Sequence, residues 1–571
     1  MPNKNKELAE IFYKIADALE FKGEQVFRVL AYRKAARVLE ELTDDVEELN
    51  RTGKLRTIPG IGEGIAKKID EYLKTGQMKK YQEAMAGIPE ELLALLNIQN
   101  LGPKTLALAH KELGVKNLAD LKRVIEDGSL AKLFRMGQKK VENIKKGIAL
   151  YEQAQKRIPI DVATKIADMV VDYLKHAPGL KDISPSGSLR RMKETIGDID
   201  ILVSAKNGAK IIEYFTKMPN VVQVLAAGDT KGSVIIKTET ETLQVDVRIV
   251  DEDSYGSALQ YFTGSKDHNV TLRTLAKEKG LKLSEYGVYK GEKKVAGRTE
   301  EEVYRILGLK WIPPELRENR GEIEAARAGT LPTLIGYDEI KGDFQVHTNN
   351  SDGSATIEEM VKAAIARGYE YIAITDHSKS ANYANGLSVE RLLAEWEEID
   401  RLQRKYKSIK ILKATEVDIL ASGKLDYPDK ILAQADLVVA AVHQGFKHHV
   451  TERLCAAIEN PHVDIIAHPS GRLINKREGY EVDLEKVLEH ARKYQKILEI
   501  NAYPNRLDLN DIWARRAKEM GIKLAINTDA HNVNDLAWMR FGIGVARRAW
   551  LEKDDVVNTK SYAELKKYLK L

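Results

Sequence analysis

Residues 186–203 read SGSLRRMKETIGDIDILV, and this stretch decides the fold of the middle of the chain. It opens with a Gly-Ser turn, continues with two arginines and ends in an apolar run that carries Asp198 and Asp200. Side chains two residues apart in a strand point to the same side, so the two carboxylates are expected to lie close together. A divalent cation commonly relieves the repulsion between such carboxylates. A solvated edge strand with a chance Asp-x-Asp pair is the alternative for this dipeptide taken alone.

A third carboxylate lies downstream at Asp246, within the alternating stretch LQVDVRIV of residues 243–250. Alternation of this kind indicates a strand with one buried face. If this strand pairs beside the first, three carboxylates converge and can hold two Mg²⁺ ions. Such a pair of ions activates a 3′-hydroxyl and neutralises a nucleoside triphosphate. Residues 261–269, YFTGSKDHN, then add two aromatic residues and a second Gly-Ser turn.

Length and composition indicate a multidomain protein of a reducing compartment. A chain of 571 residues is too long for a single core and predicts about three to five domains. The single cysteine, Cys455, excludes an internal disulfide framework and a thiolate zinc cage. No window approaches the ~20 apolar residues that a membrane-spanning helix needs. We therefore expect a cytoplasmic protein with no membrane partner.

The amino-terminal part has a local excess of positive charge. Residues 51–150 contain 19 Lys and Arg against 11 Asp and Glu, a net charge of +8, whereas the whole chain carries only +5. This distribution is expected of a surface that binds phosphates, although a solvated helical surface is the alternative.

Two glycine turns in this basic part each lie between helical patterns. Gly60 and Gly62 lie in LRTIPGIGEGIAKKIDEYLKTG, and Gly102 and Lys104 lie in IQNLGPKTLALAHKEL. Glycines at the start of a helix let backbone amides receive a phosphate. A weaker third copy, FRMGQKKVENIKKGI, centres on Gly137.

The last third of the chain alternates apolar runs with helical patterns. Nine of the twelve histidines lie beyond residue 340. Seven apolar runs each end in potential metal ligands or polar groups: DFQVHTN, YIAITDH, ILKATEVD, LVVAAVH, VDIIAHP, ILEINAY and LAINTDAH. This pattern predicts a parallel barrel that builds its site at the strand C-termini. Histidines combined with carboxylates indicate a hydrolytic centre that holds several ions.

The middle of the chain resembles the family X DNA polymerases, the polymerase beta type. GSLRR, DID, VDV and YFTGS occur in the order and at the distances of that family. The resemblance makes Asp198, Asp200 and Asp246 the catalytic metal ligands. It also assigns the nucleotide contacts: Gly187 in the turn, Ser188 and Arg191 at the triphosphate, Tyr261, Phe262 and Gly264 at the sugar, and Asn269 and Arg273 at the minor-groove side of the nascent base pair. Met192 and Lys266 depart from the family, since polymerase beta has glycine and aspartate there, and these departures concern nucleotide preference rather than the reaction.

The glycine turns resemble the helix-hairpin-helix motif, which grips the DNA backbone without reading its sequence. The resemblance assigns to DNA binding Gly60, Gly62, Gly102, Lys104 and Lys68. In polymerase beta the lysine aligned with Lys68 forms a Schiff base with 5′-deoxyribose phosphate. Arg28 and Gly64 replace lysines that support that reaction, so a plain DNA contact is the favoured role of Lys68.

The carboxy-terminal pattern resembles the polymerase and histidinol phosphatase (PHP) domain, a distorted (β/α)7 barrel with nine ligand positions. Eight positions match, and the resemblance implies that they bind Mn²⁺ or Zn²⁺: His347, Asp352, His377, Glu416, His443, His468, Asp529 and His531. Gln345 replaces the ninth ligand, and an amide oxygen is a poorer ligand than an imidazole. His448, His449, His462 and His490 fit no ligand position. An active phosphodiesterase is favoured over a structural, catalytically inactive PHP domain, which is the alternative.

Together these patterns predict a multidomain fold: an all-α helix-hairpin-helix region, an α+β nucleotidyltransferase palm and thumb, and the PHP barrel. The expected boundaries are 1–85 for the N-terminal DNA-binding domain, 86–150 for a second helix-hairpin-helix domain, 151–250 for the palm, 251–316 for the nucleotide-selection subdomain, 317–335 for a linker and 336–571 for the PHP domain.

The implied function is a monomeric DNA polymerase that fills short gaps in base excision repair. Its partners are gapped or primer-template DNA and dNTPs, with Mg²⁺ at the polymerase site. The PHP domain implies 3′–5′ exonuclease, 3′-end processing and AP-endonuclease activity. A template-independent nucleotidyltransferase and a nonenzymatic DNA-binding module are the rival functions. A chain truncated near residue 316 is expected to polymerise but not to degrade DNA.

Overall fold

The structure is a computed structural model that describes residues 4–40, 42, 46–58, 60–98, 101–133, 136–154, 157–238 and 241–569. Contacts divide the chain into two units, Met1–Lys156 and Arg157–Leu571.

The first unit is helical, as the apolar spacing predicts. Leu8, Phe12, Ile15 and Leu19 follow each other at helical spacing and are all buried in one apolar core. The helices are Lys4–Phe21, Val26–Glu40, Val46–Arg51, Glu63–Thr75, Lys79–Met85, Glu90–Ala94, Pro103–Leu113, Leu118–Glu126 and Gln138–Ala154. Short 3-10 helices lie at Lys54–Thr57, Leu95–Asn97 and Leu130–Lys132.

The second unit begins with a five-stranded mixed sheet, which corresponds to the predicted palm. In spatial order its strands are Leu180–Pro185, Asp198–Ala205, Thr242–Val250, Lys231–Lys237 and Val221–Ala227. The helices Ile160–Leu174, Gly187–Arg190 and Gly208–Thr216 accompany it, and Ile158–Pro159 pairs with Thr195–Ile196. The second and third strands run parallel, whereas their outer neighbours are antiparallel. This parallel pair carries the three predicted catalytic carboxylates.

The thumb that follows combines helices with a small antiparallel sheet. Its helices are Tyr255–Thr263, Lys266–Glu278, Glu300–Ile306 and the 3-10 helices Glu252–Ser254 and Pro314–Leu316, and its strands are Lys282–Ser284, Gly287–Lys290 and Lys293–Ala296. Glu300 lies at its centre and is 5% exposed. Its carboxylate accepts hydrogen bonds from Arg190 at 2.7 and 2.9 Å and from Arg317 at 2.5 and 3.0 Å. Burial alone would raise the pKa of Glu300, but the two arginines outweigh burial and lower that pKa to about 2.

The last part is the seven-stranded parallel barrel that the sequence predicts. Its strands follow chain order: Gly342–Asp343, Tyr371–Ile374, Lys410–Asp418, Leu437–Ala441, Ile465–Ile466, Ile497–Asn501 and Leu524–Asn527. A parallel bridge between Val346 and Ala530 brings the first strand region against the last.

Helices surround this barrel: Ile357–Ala366, Val389–Lys405, Asp429–Leu432, Val450–Glu459, Leu484–Tyr494, Asp511–Glu519, Met539–Arg548 and Tyr562–Leu569. Four 3-10 helices are shorter: Asn382–Ala384, Asp535–Trp538, Lys553–Asp555 and Val557–Thr559.

The segment expected to be a linker, residues 317–335, packs against its surroundings rather than forming an exposed tether. It contains the helix Glu322–Ala328, and Arg317 and Glu322 are fully buried. Glu322 accepts a hydrogen bond from the His268 ring at 2.6 Å. Truncation near residue 316 would therefore remove the buried partner that Arg317 provides to Glu300.

We predict that Glu300→Gln destabilises the second unit strongly, because two arginines would keep their charges while losing their shared carboxylate. Breaking a buried ion pair in this way costs about 3–5 kcal/mol. All five tryptophans lie beyond residue 310, so the urea midpoint of tryptophan fluorescence reports this unit alone. Glu301→Gln, an exposed neighbour in the same helix, is the control and should leave the midpoint unchanged. Equal midpoints for both variants would contradict the prediction.

Candidate active sites

The three predicted catalytic carboxylates converge on one edge of the palm sheet. Parallel pairing sets Asp200 directly opposite Asp246, and Asp198 lies two residues earlier on the same strand. Gly187 approaches this edge so closely that a Cβ atom there would lie 2.4 Å from an Asp200 oxygen. Its φ of +62° also lies in the left-handed region that favours glycine. Glycine is thus required in this turn for both space and conformation.

The electrostatics of this edge favour a bound cation. Burial, together with Asp198 and Asp246, raises the pKa of the Asp200 carboxyl to about 7. Burial and Asp246 also raise the pKa of Asp198. Because the carboxylates destabilise one another when all are ionised, a divalent cation among them would favour their charged form.

Side chains that sequence reasoning missed hold Asp246 in place. Ser233 and Gln244 donate to its Oδ1 at 2.6 and 2.8 Å, and the Lys231 ammonium lies 2.8 Å from its Oδ2. Residues 231–237 form the strand that pairs with the Asp246 strand, and this pairing brings Lys231 and Ser233 to the site. A strand pairing of that kind leaves no local motif by which the two residues could be recognised.

The arginine predicted to contact the triphosphate is held at the end of the same turn. Gly187 and Ser188 lie in the four-residue helix Gly187–Arg190, and Arg191 follows it. Arg191 donates from Nε to Glu318 at 2.9 Å and from Nη1 to the Thr263 carbonyl at 2.8 Å. These two bonds fix the plane of the guanidinium.

The YFTGS turn is shaped by Asn269, which is buried. Its amide nitrogen donates to the carbonyls of Tyr261 at 2.6 Å and Gly264 at 3.1 Å, and its oxygen accepts from Gln260 at 2.8 Å. A Cβ atom at Gly264 would lie 2.6 Å from that amide oxygen. In this structure Asn269 therefore holds the turn, with both ends of its amide committed within the thumb.

The other predicted nucleotide contacts lie nearby. The Tyr261 and Phe262 rings meet edge to face at 5.3 Å, and Arg248 lies over the Phe262 ring. Arg273 is exposed on the helix Lys266–Glu278.

The eight predicted PHP ligands meet at one end of the barrel, where its strands end. His347, Asp352, His377 and His531 form one group of potential ligands, and His377, Glu416 and His443 form a second. Asp529 adjoins the first group, with Oδ1 3.1 Å from His347 Nε2. His468 adjoins the second, with Nε2 3.1 Å from Glu416 Oε1.

Buried polar atoms in these groups show that the residues fit metal ions. Both ring nitrogens of His347, the His377 Nδ1 and the Glu416 Oε2 are buried without a hydrogen bond to any described residue. The His377 Nδ1 and the Glu416 Oε2 nevertheless lie only 3.0 Å apart, close enough for one cation to contact both atoms. Buried polar atoms are costly unless satisfied, and a cation between them would satisfy them.

Gln345 contacts the same carboxylate from the position of the missing ligand. Its amide nitrogen donates to Glu416 Oε1 at 2.9 Å, and its amide oxygen is buried without a described partner. Gln345 thus hydrogen-bonds to Glu416 from the position at which an imidazole would be able to bind a metal ion.

Supporting residues and backbone strain fix the ligands. Asp418, which the sequence motifs did not identify, lies 2.6 Å from the His443 Nδ1 and so orients that ring. His468 and Asp529 have φ values of +31° and +54°, a conformation that costs energy for residues other than glycine. Strain of this kind is found at functional sites.

A cavity of about 270 Å³ opens beside these ligands. Tyr383, Arg506 and the stacked pair Tyr503 and Trp538 line it together with the ligands. Arg506 Nε is buried without a hydrogen bond to the described residues and lies 3.6 Å from Asp529 Oδ2. The cavity thus presents a cation and aromatic faces next to potential metal ligands.

The glycine turns of the first unit share one hydrogen-bonding pattern. The Gly62 carbonyl accepts hydrogen bonds from the amides three and four residues later, at 3.0 and 2.9 Å. The Gly102 carbonyl accepts the same two bonds at 2.9 and 3.0 Å. Around Gly137 they measure 2.9 and 3.1 Å, so the third copy is as regular as the others. Gly60, at φ +105°, is required for the first turn, and Lys104 lies in the first turn of the helix Pro103–Leu113.

Lys68 lies on the helix that follows the first glycine turn. Its ammonium donates to the Gly64 carbonyl at 2.9 Å and lies 5.9 Å from the centre of the Tyr32 ring. Arg28 is paired with Glu24 at 3.2 Å.

Among the described helices, none combines the length and the apolar character required to cross a bilayer.

The fold and the two sites define a class of enzyme in which a nucleotidyltransferase palm precedes a barrel equipped as a metal-dependent phosphoesterase. Family models match in the same order. They describe a helix-hairpin-helix domain at residues 3–78, the DNA polymerase beta palm at 157–254, its thumb at 258–318 and a PHP domain at 343–503. The last two ligands, Asp529 and His531, lie beyond the matched PHP segment.

The relative named DNA polymerase/3′-5′ exonuclease PolX, from Bacillus subtilis (strain 168), is 41% identical over 571 residues and covers 99% of each chain. The chain therefore belongs to the family X DNA polymerases that carry a C-terminal PHP domain.

Other relatives match parts of the chain. A probable phosphatase from Thermoanaerobacter sp. (strain X514) is 33% identical over 242 residues, which cover 40% of this chain and 94% of its own. The DNA polymerase lambda of Rattus norvegicus is 28% identical over 346 residues, covering 55% and 56% of the two chains.

We predict that Gln345→His increases the Mn²⁺ bound per barrel, because an imidazole would replace an amide that now hydrogen-bonds to Glu416. The measurement is metal content after equilibrium dialysis at increasing Mn²⁺. His490→Gln, on the outer helix Leu484–Tyr494, is the control and should match the parental stoichiometry. Unchanged stoichiometry and affinity in Gln345→His would contradict this view of position 345.

Proposed function

We propose that this chain is a template-directed DNA polymerase that fills short gaps during base excision repair. We propose further that its PHP barrel removes nucleotides from 3′ ends and processes damaged 3′ termini and abasic sites. The observation that carries the polymerase assignment is the convergence of Asp198, Asp200 and Asp246 beside the Gly187 turn. Gapped DNA is the proposed substrate, the chain acts as a monomer, and the proposed place of action is the cytoplasm.

Divalent cations, when bound, supply Lewis acidity at both sites, Mg²⁺ in the palm and Mn²⁺ or Zn²⁺ in the barrel. In the palm, the three carboxylates would hold the cations, and Ser188 and Arg191 would bind the triphosphate of the incoming dNTP. Asn269 keeps the turn that carries Tyr261, so that the turn can contact the sugar of that nucleotide. Arg273 faces the nascent base pair.

The repeated glycine turns support a duplex substrate. Backbone amides at the start of a helix bind phosphates irrespective of base sequence, so copies around Gly62, Gly102 and Gly137 suit a gap in any sequence. A template-independent transferase with a small acceptor has no need of such turns. Lys68 is proposed as a DNA contact, because its supporting residues differ from those of a Schiff-base lysine.

An active barrel is favoured over an inactive scaffold by its unsatisfied ligand atoms. Burying His347 without a hydrogen bond and keeping His468 and Asp529 in strained backbone conformations both cost stability. A domain with a purely structural role would gain nothing from these costs. The half-buried Arg506 lines the cavity and is proposed to bind a phosphodiester, and the stacked Tyr503 and Trp538 offer a face for a base.

The polymerase assignment predicts that Asp200→Asn reduces dNTP incorporation to background, because a neutral amide cannot replace a carboxylate in binding the cations. Primer extension on DNA with a one-nucleotide gap, in Mg²⁺, is the measurement. Asp182→Asn, an exposed aspartate of the same sheet, is the control and should extend normally. Normal extension by Asp200→Asn would exclude the proposed site.

The barrel assignment predicts that His347→Ala lowers the rate of 3′–5′ degradation by more than about a hundredfold. Losing a residue that only supports a metal ligand costs up to about a hundredfold, and losing a ligand should cost more. Degradation of a labelled primer in Mn²⁺ without dNTPs is the measurement, and gap filling by the same variant should persist. His490→Ala serves as the control. A His347→Ala enzyme that degrades DNA at the parental rate, with contaminating nuclease excluded, would instead support the inactive scaffold.

A further inference from the structure

Residues 190–194, which begin at the last residue of the helix Gly187–Arg190, contact the PHP barrel. The Arg191 carbonyl accepts a hydrogen bond from Arg548 Nη1 at 2.8 Å. Glu194 pairs with Arg472, with N to O distances of 2.7 and 3.2 Å. Arg548 ends the barrel helix Met539–Arg548, so the barrel contacts the backbone of the residue predicted to bind the triphosphate.

Met192, which replaces the glycine of polymerase beta, is part of this contact. Its φ of +54° lies in the left-handed region that glycine adopts without strain. A Cβ atom at Gly544 would lie only 2.5 Å from the Met192 Cε, so the two residues are packed together. The chain thus retains the backbone conformation of a glycine while using a side chain there to contact the barrel helix.

A buried ionic network connects the same elements. Glu318 Oε1 accepts from Arg191 Nε at 2.9 Å and from Arg548 Nη1 at 3.0 Å. Asp511 Oδ2 lies 2.8 Å from Arg548 Nη2 and 2.8 Å from Arg320 Nη1. Glu318 is 9% exposed and Arg548 is 5% exposed.

Each charge in this network depends on the others for compensation. Burial alone would raise the pKa of Glu318, but Arg548 and Arg191 outweigh burial and hold that pKa well below its usual range. The carboxylate is therefore ionised and shared between an arginine of the palm and an arginine of the barrel. Removing Arg548 would leave Glu318 with Arg191 and with the Lys193 ammonium, 4.0 Å away, and would take away the hydrogen bond that ties it to the barrel.

We propose that Arg548 and Glu318 are positioning residues for Arg191, so that docking of the barrel sets the affinity of the polymerase site for the incoming nucleoside triphosphate. The proposal rests on the function proposed above for Arg191. The Arg191 guanidinium donates hydrogen bonds from Nε to Glu318 and from Nη1 to the Thr263 carbonyl. Its Nη2 makes no hydrogen bond to the described residues. Holding the plane of the guanidinium directs Nη2 toward a phosphate oxygen.

The test is single-nucleotide gap filling by the full-length chain carrying Arg548→Gln. We expect the KM for dNTP to rise about three- to tenfold, the effect of one lost hydrogen bond, while kcat stays near the parental value. The matched control is Arg540→Gln, an exposed arginine at the other end of the same helix. A destabilised protein would lose active enzyme and so lower kcat, whereas misalignment of Arg191 raises KM.

Degradation in Mn²⁺ monitors whether the barrel remains folded, since Arg548 lies outside the groups of potential ligands. If the Arg548→Gln chain no longer degrades DNA, we take its barrel to be misfolded. In that case Met192→Gly is the variant that tests the proposal. That variant removes a contact with the barrel and relieves backbone strain, so folding is not at risk. A KM for dNTP equal to the parental value in Met192→Gly would overturn the proposal in that case.

Arg191→Gln separates this proposal from the function on which it rests. If Arg191→Gln leaves the KM for dNTP unchanged, the proposed role of Arg191 fails, and its positioning fails with it. If Arg191→Gln raises KM but a folded Arg548→Gln does not, only the positioning is overturned. If both raise KM, the double variant should show no more than the effect of Arg191→Gln alone, because both changes act through one group.

Discussion

The parallel pairing of two palm strands is the constraint on which the candidate polymerase site depends. It sets Asp200 opposite Asp246 and forces like charges together at a partly buried edge. Neighbouring groups reduce this repulsion by stabilising the Asp246 carboxylate. Lys231, Ser233 and Gln244 all contact it. Burial and the remaining repulsion raise the pKa of Asp200, and a divalent cation among the carboxylates would relieve that repulsion.

The barrel also brings buried polar groups close together, but it uses imidazoles as well as carboxylates. Its apolar strands end at one rim, so the polar residues that follow them must meet there. Imidazoles and carboxylates meet at that rim, and some of their buried atoms, among them both ring nitrogens of His347 and the Glu416 Oε2, have no hydrogen bond to a described residue. In both halves of the second unit, the geometry of the strands therefore concentrates groups that are stable together only around added positive charge.

Much of this could be predicted from the sequence because strand ends carry local signals. Asp198 and Asp200 lie two residues apart, and the barrel ligands directly follow apolar runs. Pairings between distant segments left no such signal. Lys231 reaches Asp246 through strand order, and Asp418 orients His443 from within a strand whose motif drew attention to Glu416 instead. Arg317 reads as the start of a linker, although a buried partner at Glu300 makes it part of the thumb core.

The left-handed backbone at Met192 bears on how the two halves of such a chain can be inherited. A non-glycine residue in that conformation is tolerable only while Gly544 keeps space for its side chain on the barrel helix. A polymerase half that lost its barrel would keep the backbone strain and lose the contact, and glycine would then be the favoured residue at position 192. Recombination between homologues would likewise succeed only where residues 190–194 and 539–548 came from the same parent. The contact between Met192 and Gly544 thus requires the two halves to change together.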